Sequence, residues 1–314
     1  MGETRLVASD LDGTLLRPDE TVSERTRHAI AAAQRAGITV VLVTGRPPRS
    51  LAPIAARIGL GGIAICANGA VVWDLDAGAL VDTSPLAAEA AAALIRGLRE
   101  AIPGALFAVE LERGFGREAG WTDGTLPASP GGMEADALEL VTGPVVKLLL
   151  RHPTLPFAEV ARRARETVGE DAVVTWAGTR VVEISAAGVT KARALERLCA
   201  RLGVRREEVV AVGDMENDLA MLAWAGHAVA VANAQQDVLD AADEVTASNL
   251  DDGVARVLER LVADRRVGAT GYRERGSGHP AGQPPAPRRP GSTWPRRSTS
   301  SSTGCTRRPS RRAR

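Results

Sequence analysis

The run ITVVLVT, Ile38 to Thr44, is apolar at nearly every position and has the length of one strand. A strand without a polar face must be covered on both sides, as in parallel sheets layered between helices. The neighbouring sequence supplies such helices. Leu6–Ser9 reads as a strand, and Ser23 as the N-cap of an Ala-rich helix that stops at Gly37. Pro47 opens another helix to about Ile58, and IAICAN provides a third strand. This β-α-β-α-β order predicts an α/β fold with a doubly wound, Rossmann-like parallel sheet.

The rhythm resumes near residue 189. Thr190–Leu202 reads as a helix, Val209–Gly213 as a strand, Glu216–Trp224 as a helix and HAVAVA as a strand. Asp251 or Asp252 starts a last helix that should end near Val262. The stretch between differs: LFAVEL, VVKLLLR, AVVTWA and RVVEIS are strand-like, while residues 86–101 and 156–168 are Ala-rich and helical. These patterns predict a discontinuous core domain from residues 1–82 and 189–265, with an α+β insert at 83–188. Residues 266–314 are rich in Gly, Pro, Ser and Arg, cannot bury enough surface to fold, and are expected to be disordered.

Aromatic residues make up only 3% of a chain that is 45% hydrophobic, so the core must be built from Ala, Val, Leu and Ile. No apolar run approaches the roughly 18 residues of a membrane span, and the first residues lack a signal-peptide apolar region. Cys66, Cys199 and Cys305 are far apart, which argues against a disulfide framework or zinc site and fits a reducing cytoplasm.

Charge is unevenly placed. Residues 268–314 hold eleven arginines and one acid, Glu274, for +10, so the rest of this +1 chain carries −9. Lys147 and Lys191 are the only lysines among 39 basic residues. Where surface cations are written as Arg, a lysine marks a place that needs a compact ammonium.

Four polar patches fall at predicted strand ends or helix starts, where the ligands of such sheets bind. Asp10 ends the first strand, Thr44 the second, Asp214 a later one, and Lys191 begins the helix before it. The set suits phosphoryl transfer. An aspartate attacks a phosphoryl group and splits hydrolysis into two steps. Carboxylate and phosphate repel, so Mg²⁺ held by Asp10 and Asp214 belongs between them. Asp12 is placed to protonate the leaving oxygen and then deprotonate water. Lys191 and the Thr44 hydroxyl neutralise and hold the remaining oxygens, and Gly13 permits a tight turn.

The motifs DLDGT (Asp10–Thr14), VTGR (Val43–Arg46), Lys191 in GVTKARAL and GDMENDLAML (Gly213–Leu222) resemble the four motifs of the haloacid dehalogenase superfamily of phosphatases. Asp12 and Thr44 are 32 residues apart, too few for a cap, whereas 147 separate Thr44 from Lys191. With CANGA at Cys66–Ala70, that placement resembles the Cof-type subfamily (class IIB), whose α/β cap follows the second motif. The resemblance implies Asp10 as nucleophile and Mg²⁺ ligand, and Asp12 as acid/base with its carbonyl on the metal. It implies Asp214 as a further ligand and Asp218 as a carboxylate behind the ligands. Thr44, Gly45, Lys191 and Asn217 would bind phosphate. The substrate expected is a small phosphorylated metabolite such as a sugar phosphate.

Other readings stand beside this one. DxDG alone also describes a turn. GLGGIA (Gly59–Ala64) has dinucleotide-fingerprint spacing but follows a helix, so it reads as a turn. Lys147 is either a solvent-facing strand residue or a cap residue that touches substrate; Glu110, Arg113 and Trp121 are further cap candidates. A phosphosugar mutase of the same fold is one rival function. Another is a non-catalytic protein whose basic tail binds nucleic acid, though the tail lacks a folded motif. Nothing in the pattern selects an oligomeric state.

Overall fold

The elements follow in the order β1 (Leu6–Asp10), α1 (Glu24–Arg35), β2 (Thr39–Val43), α2 (Pro48–Ile58), β3 (Ile63–Cys66), β4 (Val71–Asp74) and β5 (Ala79–Thr83). Next come α3 (Ala88–Ala101), β6 (Leu106–Leu111), β7 (Gly114–Arg117), β8 (Met133–Glu134), α4 (Ala137–Leu140), β9 (Val145–Arg151), α5 (Phe157–Val168), β10 (Ala172–Thr175) and β11 (Val182–Ala186). The chain continues through α6 (Lys191–Leu202), β12 (Val209–Gly213), α7 (Leu219–Trp224), β13 (His227–Val231), α8 (Gln236–Ala241), β14 (Glu244–Thr246) and α9 (Gly253–Arg273). This computed structural model describes residues 3–112, 114–121, 132–176 and 181–273, with α9 side chains described to Arg266. Arg113 and the chain from Glu274 onward lie outside the described residues.

One sheet has the order β14-β13-β12-β1-β2-β3-β4-β5. Its strands from β14 to β3 are parallel, and β4 and β5 add an antiparallel edge. Every residue of β1 and β12 is buried, as their apolar runs demand. Val7, Leu42, Val210 and Val212 pack with Ile30, Leu51, Ile54 and Leu258 of α1, α2 and α9. The alternate residues Leu6, Ala8, Val41 and Val209 are equally buried and belong to the opposite face, where α6 and α7 lie. The helix starts follow the capping logic: Ser23 accepts from the Thr26 N–H, and Thr190 from the Arg193 N–H.

A second sheet, β10-β11-β9-β6-β7-β8, arises wholly between β5 and α6 and is antiparallel apart from β7–β8. Helices α3 and α5 cover one face through Ile95, Leu98, Val160 and Ala164, packed on Phe107, Leu148 and Ile184. This is the inserted α+β cap of the doubly wound core. A register shift between β6 and β9 pairs Glu110 with Lys147 and Leu111 with Val145, which leaves Val146 as an extra residue. Such a bulge re-aims side chains, and Val146 joins the core cluster of the first sheet.

Two expectations need correction. The last helix does not stop near Val262 but runs to Arg273, so the segment from 266 begins as helix. Extending a packed helix is far easier than starting one, and Arg265 ties α9 to the carbonyls of Thr4 and Ala36. The helix expected at Glu216–Trp224 divides into a tight 3₁₀ turn, Glu216–Asp218, and α7. There the Asp218 carboxylate accepts the N–H groups of Asp214 and Met215 and closes the turn. Of the two readings of Lys147 the solvent-facing one fails, because the residue is 3% exposed. GLGGIA is the turn between α2 and β3. Cys66 and Cys199 are buried free thiols that burial raises, the latter to about 11. Among the described residues no helix is long and apolar enough to cross a membrane.

Candidate active site

Strands β1, β2 and β12 run parallel side by side, so their carboxyl ends emerge together. Asp10 ends β1, Thr44 follows β2 and Asp214 follows β12. Lys191 enters as the first residue of α6. It is 1% exposed and donates to Asp10 Oδ1 at 2.6 Å and to Asp218 Oδ1 at 2.8 Å. One oxygen each from Asp10, Asp214 and Asp218 lies within 4.8 Å of the others, and all three residues are buried.

These groups do not share the work equally. Both Asp218 oxygens are engaged, Oδ1 by Lys191 and Oδ2 by two backbone N–H groups at 3.1 Å. Asp214 Oδ1 accepts from the Thr14 hydroxyl at 2.6 Å. Gly13 takes φ +79°, and a Cβ there would lie 2.3 Å from Asp214 Oδ2. The glycine thus serves both the left-handed turn and the close approach.

Electrostatics follow from this crowding. Burial raises Asp10 well above the ordinary carboxylate range; Lys191 opposes that shift, while Asp218 and Asp214 add to it. Burial likewise raises Asp214 to about 6, against the Thr14 hydrogen bond and with the help of Asp218. Burial would lower the Lys191 ammonium, but Asp10 and Asp218 outweigh it and raise the pKa. Three buried carboxylates therefore face one ammonium. An all-oxygen, net-negative set of this kind fits a hard divalent cation.

Asp12 is separate from that cluster. Its half-exposed carboxylate is gripped by Arg46 through Nε at 2.9 Å and Nη2 at 2.6 Å, and Arg46 also pairs with Glu20 at 2.8 Å. Thr44 is fully buried, and its hydroxyl oxygen accepts the Arg46 N–H at 3.0 Å, which leaves the hydroxyl proton to donate elsewhere. Asn217 donates to Asn68 Oδ1 at 3.2 Å, while its own buried Oδ1 has no hydrogen-bond partner among the described residues.

The cap closes over this edge of the core. Lys147 Nζ donates to the Gly45 carbonyl at 2.9 Å and to Glu183 at 2.6 Å. Glu110 accepts a two-pronged bond from Arg49 of α2, whose guanidinium stacks 4.2 Å from the Phe115 ring centroid. Trp121 is buried in an apolar cluster with Ala108, Phe115, Leu149 and Val181. Sequence reasoning gave no role to Asn68, Glu183, Thr14, Arg46 or Arg49. Thr14, Arg46 and Asn68 lay inside the quoted DLDGT, VTGR and CANGA motifs, and an Asn-Gly pair after a strand is a turn signal. The other contacts are long-range and had no local mark.

A doubly wound parallel sheet with buried carboxylates, a lysine and a threonine gathered at its carboxyl edge defines an α/β protein whose site suits phosphoryl groups. The chain belongs to the haloacid dehalogenase-like hydrolases, whose family model matches residues 7–258. Relatives include the pyridoxal phosphate phosphatase YbhA of Escherichia coli, 31% identical, with 81% of this chain and 97% of the relative covered. The 5-amino-6-(5-phospho-D-ribitylamino)uracil phosphatase YcsE of Bacillus subtilis is 30% identical, with 83% and 96% covered. The crystal structure of a haloacid dehalogenase-like hydrolase from Bacteroides thetaiotaomicron superposes with a TM-score of 0.70 at 28% identity, covering 82% of this chain and 99% of that one. Within its family this chain is a phosphoric monoester hydrolase of the Cof type.

Proposed function

We propose that the chain is a Mg²⁺-dependent phosphatase that hydrolyses small phosphorylated metabolites through an aspartyl-phosphate on Asp10. The observation that carries this reading is the meeting of Asp10, Asp214 and Asp218 within 4.8 Å, although 204 positions separate the first two. Asp10, Asp214 and the Asp12 carbonyl would hold the ion, since both Asp218 oxygens are already engaged. The bound cation supplies positive charge between the nucleophile and the phosphoryl group.

The residues divide the reaction as follows. An Asp10 oxygen attacks phosphorus and the bond to the leaving oxygen breaks, while Asp12 gives that oxygen a proton. Water then attacks phosphorus, Asp12 takes its proton, and inorganic phosphate leaves with the Asp10 carboxylate restored. The Thr44 hydroxyl, the Gly45 N–H, Lys191 and Asn217 hold the phosphoryl oxygens. Asp218 keeps Lys191 aimed at the site, and Lys147 presents the cap to the substrate's remainder. The core and cap divide at 1–82 with 189–265 and at 83–188. The activities for which YbhA and YcsE are named support a substrate class of phosphate esters on small ring-bearing or sugar-like alcohols. Free, buried thiols favour the cytoplasm as its location.

The test is Asp10→Asn assayed on para-nitrophenyl phosphate with Mg²⁺. The substitution keeps shape and removes the nucleophile, so hydrolysis should fall by at least about 10³-fold with the melting temperature retained. Turnover near the wild-type rate would remove Asp10 from this role.

A further inference from the structure

We propose that Asn68 is a positioning residue whose side chain fixes the cap's Lys147–Glu183 pair against the phosphate-binding loop in the arrangement that turns over. This rests on the proposed role of Thr44 and Gly45. Asn68 sits in a buried turn after β3 where three successive residues, Ala67, Asn68 and Gly69, have φ of +49°, +55° and +105°. Two non-glycine residues held left-handed in succession carry strain, and such strain persists where surrounding contacts dictate it.

The contacts reach the loop after β2, the start of α6, the turn after β12 and the cap. The Ala67 N–H donates to the Arg46 carbonyl at 2.9 Å, and the Asn68 N–H to the Thr44 carbonyl at 3.1 Å. A Cβ on Gly69 would lie 2.3 Å from the Thr190 carbonyl, so the turn is pressed against the start of the helix that carries Lys191. The Asn68 amide donates to Glu183 at 2.5 Å and to Thr175 at 3.1 Å, both in the cap, while its Oδ1 accepts from Asn217. Glu183 in turn holds Lys147, which donates to the Gly45 carbonyl. One amide therefore joins the loop after β2, the turn after β12 and the cap sheet. Its donor end faces a carboxylate, so the polarity of the bond can be reversed by exchanging the two groups.

The experiment compares Asn68→Gly, Asn68→Asp, Glu183→Gln and the double variant Asn68→Asp/Glu183→Gln, with kcat and KM for para-nitrophenyl phosphate and melting temperatures. Gly and Asp both accept the left-handed backbone. Each single variant should lose about tenfold in kcat/KM, the factor a lost hydrogen bond to a charged group carries. The double variant restores a donor facing an acceptor and should recover most of that loss. Wild-type kcat/KM in Asn68→Gly, or a double variant no better than Asn68→Asp, would overturn the proposal. If Asn68→Asp does not fold, Glu183→Gln is added to Asn68→Gly: no further loss supports the shared contact, and multiplied losses overturn it. Asp10→Asn in the same assay keeps the readings apart. Turnover surviving there removes the nucleophile, whereas the Asn68–Glu183 comparison reports on the coupling alone.

Discussion

A buried carboxyl whose cation only partly offsets desolvation gives up its proton late, and Glu110 is such a group. It is 3% exposed; burial raises its pKa above the ordinary 4.5, while Arg49 pulls it down. A folded-state pKa above the unfolded one means that the folded protein holds the extra proton. The resulting stability is fully present below about 4.5 and is lost as pH rises through the raised value. Glu110→Gln removes the titration and keeps the shape. Across that window the wild-type melting temperature should therefore fall relative to the variant's, as calorimetry at a series of pH values would show. Parallel curves would mean that Arg49 fully offsets the burial.

At the scale of elements, the turn after β1 and the start of α1 respond to substitution in different ways. Gly13→Ala places a methyl group in a left-handed backbone and against Asp214 Oδ2. It should cost about 1–3 kcal/mol and abolish most activity. Ser23→Ala removes the bond that caps α1 at the Thr26 N–H and should cost about 1 kcal/mol with kcat/KM unchanged. Chemical denaturation with parallel kinetics separates the two. The elements themselves were largely legible, because apolar runs such as Val40–Val43 and the cap at Ser23 are local signals. The 3₁₀ turn at Glu216–Asp218 was not, since two N–H groups captured by the Asp218 side chain override a helical pattern. The full length of α9 was hidden too, because Arg265 is anchored to carbonyls of residues remote in sequence.

Across the whole molecule, the chain carries its chemistry on segments that only the sheet order brings together. The positions of Asp10, Thr44, Asp214 and Lys191 were readable because each stands at or just past the end of a strand or at the start of a helix. Both lysines, singled out by rarity, are buried and paired with carboxylates beside the site. Asn68, Glu183 and the Arg46–Asp12 pair were not readable, because each depends on how the cap or a neighbouring loop meets the core. If Asp10 carries the phosphoryl group as proposed, the covalent adduct can be trapped and located. Asp12→Asn lacks both the acid of the first step and the base of the second, but para-nitrophenolate leaves without a proton, so the variant should accumulate the aspartyl-phosphate when mixed with Mg²⁺ and para-nitrophenyl phosphate. After acid quench and proteolysis, mass spectrometry should find one added phosphoryl group on the peptide that contains Asp10. An unmodified peptide, with wild-type enzyme turning over and Asp10→Asn equally active, would remove Asp10 as the phosphoryl carrier.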